Sequence, residues 1–298
     1  MMTIKSILVP FGGSDEELNA LNAAFNLAKI FNSNVRVLYI SPDPRAVFEG
    51  YYTGDAVTID PVPANIKKSL EKLNRANQRA AKDKYLTAVK KSGIDYNEDI
   101  TPTDKASASF KTEIGIAEDI VAFQGRLADL IVMGKTIQDV NTDFAGSLIS
   151  ALFDTGKPVL IIPTENLPED IDLRVVIAWN GSAQAARAVS DAMPLLQRSA
   201  HATKVWVLTD GDGKKNSFSV MPEELCLYLK QHEIDADPIS IKDKGFTTPV
   251  AILNEAKNLN AGMIVMGGFS HSRLREMIFG GVTDFILKNT NIPVFMSH

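Results

Sequence analysis

Apolar residues along this chain form short continuous runs, separated by longer segments in which apolar residues recur at helical spacing. The runs begin near Ile7, Leu130, Pro158, Val175, Met263 and Pro293. Continuous rather than alternating runs predict strands buried on both faces, and strands that alternate with helices predict a parallel sheet. After Ser182, the residues Ala185, Val189 and Leu196 form one apolar stripe, which predicts a helix lying on that sheet.

The same order of segments occurs twice. Matching strands end in related motifs, Gly12-Gly13-Ser14 and Asn180-Gly181-Ser182 after the first strand, and Met133-Gly134 and Met266-Gly267 in the fourth. A repeat of this kind indicates one fold built twice. We therefore predict two domains, 1–166 and 167–298, joined at a polar segment that contains Pro168.

The remaining predicted elements are less regular. In the first half we predict a third strand near Tyr96–Thr101 and a helix near Thr112–Arg126. Ser41–Pro63 is rich in proline and precedes a long predicted helix, Ala64–Ser92. Two interpretations of Ser41–Ser92 stay open. It is either a solvent-facing loop that leads into a long helix, or a flap or interface patch over the first half's cleft.

Composition narrows the function classes. A net charge of −5 gives no basic face for nucleic acid. A single cysteine, Cys226, excludes an internal disulfide, and no His, Cys, Asp or Glu cluster has the spacing of a metal site. No apolar run approaches the roughly 20 residues of a membrane helix. We expect a cytoplasmic protein without a membrane partner.

Candidate chemistry lies at the strand ends of the second half. Ligands of open parallel sheets bind beyond the carboxyl ends of the strands, where the strand order reverses. There, Gly267-Gly268 ends one strand and Gly280-Gly281 opens the last helix. Glycines let a phosphate approach backbone N–H groups, and a helix N-terminus favours an anion. The spacing therefore indicates a di- or triphosphate site.

These residues resemble the nucleotide loop of the universal stress protein family. That loop has glycine, two residues, glycine, nine residues, glycine and then Ser or Thr, and this chain has Gly267, Ser270, Gly280 and Gly281 at those positions. Both first-strand motifs are similar to the family's opening as well. The resemblance implies two tandem five-stranded parallel sheets of order 3-2-1-4-5, with helices on both faces. It also implies a pseudo-twofold pair of domains within one chain, and a homodimer stays open.

The resemblance further implies ATP or AMP as ligand, with Asn180 and Val207 near the base. In this chain Asn180 stands where the family has Asp. The residues expected around the phosphates are Gly267, Ser270, His271, Gly280, Gly281 and Thr283. In the first half Gly12 replaces that Asp, Ile137 replaces a glycine, and Gly146-Ser147 falls one residue early. The first half is therefore predicted to have lost its phosphate site.

The predicted function is that of a non-catalytic stress-response regulator that binds ATP or AMP in the second half. No residue is assigned a catalytic role, and at most weak ATP hydrolysis is expected. Two alternatives stay open. One is a nucleotide-free scaffold for protein contacts. The other is an ATP-cleaving enzyme that uses Gly12-Gly13-Ser14-Asp15 in the manner of a pyrophosphatase loop, although Phe11 and Glu16 depart from that motif.

Overall fold

The computed structural model describes residues 3–43, 64–98, 104–135, 143–164, 174–200, 205–209, 221–241, 246–268 and 281–298. The predicted α/β class with a mostly parallel sheet is confirmed. The chain packs as two units, here called the first unit, Lys5–Thr155, and the second unit, Gly156–His298 together with Met1–Ile4.

In the first unit the strands have the order β3-β4-β2-β1-β5, and neighbouring strands are parallel. The strands are β1 (Ser6–Pro10), β2 (Asn34–Ser41), β3 (Asp95–Tyr96), β4 (Ser107–Ile114) and β5 (Leu130–Gly134). The helices are α1 (Asp15–Phe31), α2 (Ala64–Ser92), α3 (Ala117–Gly125) and α4 (Asp143–Phe153). Helix α1 packs with α2, and α3 packs with α4.

In the second unit the order is β6-β11-β10-β7-β8-β9, with β6 antiparallel to β11 and the other neighbours parallel. The strands are β6 (Val159–Ile162), β7 (Val175–Ala178), β8 (Val205–Thr209), β9 (Ala236–Ser240), β10 (Met263–Gly267) and β11 (Val294–Ser297). The helices are α5 (Ala183–Ala200), α6 (Pro222–Gln231), α7 (Thr248–Asn258) and α8 (Gly281–Asn289).

Strand β6 explains why the units divide between Thr155 and Gly156. In sequence β6 is the last strand of the first repeat, but it pairs with β11 in the register Val159↔Met296 and Ile161↔Val294. Its four residues are all buried. The predicted boundary between 166 and 167 marks the end of the repeat in sequence, and it stays a prediction.

The short strand predicted near Tyr96–Thr101 is present at its first residue, as β3 at Asp95–Tyr96, and residues 97 and 98 are not in a strand. Residues 99–101 lie outside the described part of the chain. The long third strand is β4, which pairs with β2 along eight residues. Its small and polar residues hide it in the sequence, because pairing and burial override strand propensity. The following helix begins at Ala117 rather than Thr112, after Gly115 at φ +153°.

The long helix predicted at Ala64–Ser92 is present as α2 with the same bounds. Its Tyr85 is 0% exposed, and the ring lies 5.1 Å from that of Phe110 and 6.5 Å from that of Phe25. Helix α2 is therefore anchored in the first unit's core by aromatic contacts with α1 and β4. Residues 44–63 of the predicted flap lie outside the described segments.

A glycine at the end of the fourth strand allows the first helix of each unit to approach closely. A Cβ atom on Gly134 would lie 3.0 Å from the Cα of Glu17, and one on Gly267 would lie 2.6 Å from the backbone N of Ala185. Both neighbours are backbone atoms, so they cannot move without shifting a helix. The two glycines therefore have the same packing role in the two units.

We expect Gly267→Ala to destabilise the second unit by about 1–3 kcal/mol, because the added methyl group must displace α5. Gly281→Ala is the control, since a Cβ atom there meets open space, and its effect should stay within about 0.5 kcal/mol. Urea denaturation measures both. Equal stability of the two variants would show that α5 tolerates the methyl group.

Candidate functional site

The parallel sheet of the second unit brings the two predicted ligand loops together. Strand β7 lies between β8 and β10, so the order reverses between β7 and β10. These strands are paired with Ala178 beside Met266. Asn180 follows β7 and Gly267 ends β10, so both lie at the carboxyl edge of the sheet. This is the point at which parallel α/β sheets bind ligands.

Asn180 is exposed and takes part in a local turn. Its Oδ1 accepts the N–H of Ser182 at 3.1 Å, and Gly181 between them has φ +70°. The Ser182 hydroxyl in turn accepts the N–H of Ala185 at 3.2 Å, which caps α5. Among the described residues the Asn180 Nδ2 group has no hydrogen-bond partner, so it is available as a donor.

The other predicted residues are placed differently. Val207 is 0% exposed and Thr283 is 5% exposed, so both side chains belong to the core. Gly281 is exposed at the first residue of α8. Thr209, rather than Val207, ends β8 at the carboxyl edge. Ser270, His271 and Gly280 lie outside the described residues.

Contacts that sequence reasoning missed hold the start of the loop after β10. The Gly268 N–H donates to the Ser297 carbonyl at 2.8 Å, and the His298 ring lies 3.1 Å from the Gly268 carbonyl. The Ser297 hydroxyl donates to Asp191 at 2.8 Å. Burial raises the pKa of Asp191, although this hydrogen bond opposes the shift. No sequence motif links residues so far apart.

In the first unit a carboxylate occupies the equivalent turn. Glu17 accepts the N–H groups of Gly12 at 2.9 Å and Ser14 at 3.0 Å. The Ser14 hydroxyl accepts the Glu17 N–H at 3.2 Å, which completes a capping box. Backbone donors at the end of β1 are therefore already bound to an anion from the chain itself. The spacing Ser14-x-x-Glu17 was the sequence signal for this contact.

Further acidic residues lie at the carboxyl edge of the first unit's sheet. A Cβ atom on Gly146 would overlap the Glu118 carboxylate. The first turns of α1 and α3 together carry five acidic residues, Asp15, Glu16, Glu17, Glu118 and Asp119. The first turns of α5 and α7 carry none. Each of these helices follows a strand, so its N-terminus lies at the carboxyl edge of the sheet. The acidic residues of α1 and α3 would therefore repel a phosphate bound there.

Helix α2 also covers the turn after β1. A Cβ atom on Gly13 would lie 2.8 Å from that of Ala81. The Lys84 ammonium group donates to the Gly13 carbonyl at 2.9 Å and pairs with Asp15 at 2.7 Å. The part of α2 around Ala81 and Lys84 therefore covers the first-strand turn, whereas most residues of α2 before Ala81 are exposed. Both interpretations of Ser41–Ser92 stay open.

The described residues give little support for a metal site, a reactive cysteine or a membrane-spanning helix. No group of three His, Cys, Asp or Glu side chains in them is arranged to hold a metal ion. Burial raises the pKa of the Cys226 thiol, so the thiolate is disfavoured at neutral pH. No described helix has both the length and the apolar character needed to cross a membrane. The cytoplasmic location stays a prediction.

Comparison with known proteins identifies the family. The sequence model of the Universal stress protein family matches residues 3–109 and again 173–298. The chain therefore belongs to the universal stress protein family, in a tandem form that carries the domain twice. Among curated proteins none matches the sequence.

Two solved structures that span nearly the whole chain agree with this fold. A universal stress protein from Archaeoglobus fulgidus DSM 4304 has a TM-score of 0.64 and 16% identity, with 98% of this chain and 97% of that chain covered. A putative universal stress protein from Pseudomonas aeruginosa UCBPP-PA14 has a TM-score of 0.54 and 15% identity, with 99% and 93% covered. A universal stress protein in complex with cAMP covers 55% of this chain at 19% identity, with a TM-score of 0.33.

Proposed function

We propose that this protein is a stress-response regulator that binds one adenine nucleotide, ATP or AMP, at the carboxyl edge of its second unit. Family membership and the position of Asn180 and Gly267 at one edge of the sheet support the proposal. The observation that carries it is the difference in charge at the first-strand turn, since α6 and α8 of the second unit also begin with acidic residues, Glu223, Glu224 and Asp284. Where Glu17 fills the first-strand turn, the second unit has the uncharged Ala185.

The charge difference is large enough to decide which unit accepts a phosphate. Two like charges 4 Å apart repel by about 4 kcal/mol at an effective dielectric constant of 20. A nucleotide in the first unit would meet this repulsion from Glu17 and Glu118, and it would have to displace a hydrogen-bonded carboxylate. The second unit presents α5 and α7 without acidic first turns. Their N-termini stabilise an anion.

The residues of the second unit would then have different roles in binding the nucleotide. The Asn180 carboxamide would donate to the base or ribose, and Gly267 would hold α5 close to β10 at the edge of the site. The predicted phosphate residues Ser270, His271 and Gly280 complete this proposal. No side chain is given a chemical step in this proposal. Nucleotide occupancy would act by changing the surface that the unit presents to a partner.

The first unit's geometry argues against the ATP-cleaving alternative. A pyrophosphatase-type loop needs free backbone N–H groups at Gly12-Gly13-Ser14-Asp15. Two of those donors are bound to Glu17. We therefore propose that the protein is not an ATP-cleaving enzyme and that the first unit serves as a scaffold.

Calorimetry with ATP and AMP tests the proposal. We expect wild-type protein to bind about one nucleotide per chain, and Gly280→Asp to lose binding because it adds a carboxylate to the predicted phosphate loop. Asn258→Asp is the matched control, since it adds the same charge at the last residue of α7, at the opposite edge of the sheet. A wild type that binds neither nucleotide would refute the proposal and favour the scaffold alternative. Equal binding by wild type and Gly280→Asp would refute the proposed site.

A further inference from the structure

The first unit contains a cavity of about 500 Å³ that lies outside the proposed nucleotide site. It opens at the carboxyl ends of β2 and β4, beside Ser41 and Thr112, and along one face of α2. Strand β1 separates β2 from β5, so the cavity is not at the point where the strand order reverses. Its volume falls within the range of roughly 300–1,000 Å³ that small-molecule sites have.

The wall formed by α2 is held in place by hydrogen bonds. Asn74 donates to the Pro42 carbonyl at 3.1 Å, and Gln78 donates to the Thr112 hydroxyl at 3.0 Å. These two bonds tie one face of α2 to the ends of β2 and β4. The second unit has no equivalent wall in its described part, because α6 has 10 residues against 29 in α2.

The described lining of the cavity carries equal numbers of positive and negative side chains. Lys67 and Arg75 are positive, and Asp43 and Glu71 are negative. Lys67, Glu71 and Arg75 make no ion pair or hydrogen bond with any residue in the described segments. A ligand with a net charge would therefore be attracted by the two lining residues of opposite charge and repelled by the two of like charge. The lining favours a polar ligand that carries both charges.

We propose that this cavity binds the zwitterionic headgroup of a free amino acid. Glu71 and Arg75 are four residues apart on α2, which places their Cβ atoms about 5–6 Å apart on one face. An α-amino acid carries its carboxylate and ammonium groups on one carbon, so a single headgroup can reach both side chains. Arg75 would pair with the carboxylate through two parallel hydrogen bonds, and Glu71 would pair with the ammonium group.

Thermal shift and calorimetry with each of the twenty free amino acids test this inference. We expect at least one of them to bind, and Arg75→Gln and Glu71→Gln each to weaken its binding about tenfold or more. Arg79→Gln, an exposed change one turn further along α2 and outside the lining, should bind like wild type. The ATP affinity of the same variants should equal that of wild type. Failure of this inference is therefore distinguishable from failure of the nucleotide proposal.

Three outcomes would overturn the inference. The first is that no free amino acid binds. The second is that binding is insensitive to both Glu71 and Arg75. The third is that inorganic phosphate binds in a manner that requires Arg75 but not Glu71, which would make the cavity an anion site.

Discussion

Replacing Ala185 by glutamate is expected to weaken ATP binding about 100-fold, the equivalent of about 3 kcal/mol. The expected cause is a carboxylate placed in the second unit's turn as Glu17 is placed in the first. The two positions are equivalent, because Ser182 accepts the N–H of Ala185 at 3.2 Å and Ser14 accepts that of Glu17 at 3.2 Å. Calorimetry with ATP measures the effect.

Stability distinguishes this exclusion from damage to the fold. A glutamate at 185 would complete a capping box with Ser182, but Ala185 is only 2% exposed, so the longer side chain should lower stability by about 1–3 kcal/mol through overpacking. Ala185→Gln is the matched control, because it adds a side chain of the same size without the charge. It should retain ATP binding within about tenfold. Equal losses in both variants would indicate steric exclusion, and unchanged binding in Ala185→Glu would mean that the ligand lies elsewhere.

The sequence predicted the fold well because the repeat and the buried strands depend on local pattern. Continuous apolar runs located β1, β5, β7 and β10, and the long helix α2 was predicted with its bounds. Strand β4 was missed, because Ser107 and Ser109 are buried by pairing with β2 and not by their own apolarity. Partners distant in the sequence decide such a strand, and one sequence read alone does not contain them.

The site could be predicted only in part. The meeting of Asn180 with Gly267 follows from parallel strands that share one edge, which a repeat with β-α alternation implies. The burial of Val207 and Thr283 did not follow, since loop spacing fixes chain position and not the direction of a side chain. Gly267 was attributed to phosphate approach, but its contact with α5 shows a packing requirement.

Removing the Tyr85 ring is expected to cost the first unit about 3–5 kcal/mol of stability, the usual effect of truncating a buried aromatic side chain. Tyr85 is fully buried among Phe25, Phe110 and Tyr96, so it joins α2 to α1, β3 and β4. Urea denaturation of Tyr85→Ala should show the first unit unfolding at lower urea. ATP binding in the second unit should not change.

Two further variants distinguish the contribution of the Tyr85 ring to stability from that of its hydroxyl group and from that of α2 in general. The Tyr85 hydroxyl is buried without a hydrogen-bond partner, and burial raises the pKa of this group. Tyr85→Phe should therefore be neutral or stabilising, because it removes an unsatisfied polar group and keeps the ring. Leu73→Ala, at a position on α2 that is 55% exposed, should change stability by less than about 0.5 kcal/mol. If Tyr85→Ala were no less stable than Leu73→Ala, α2 would not be anchored through this ring, and the cover over the first-strand turn would rest on Ala81 and Lys84 alone.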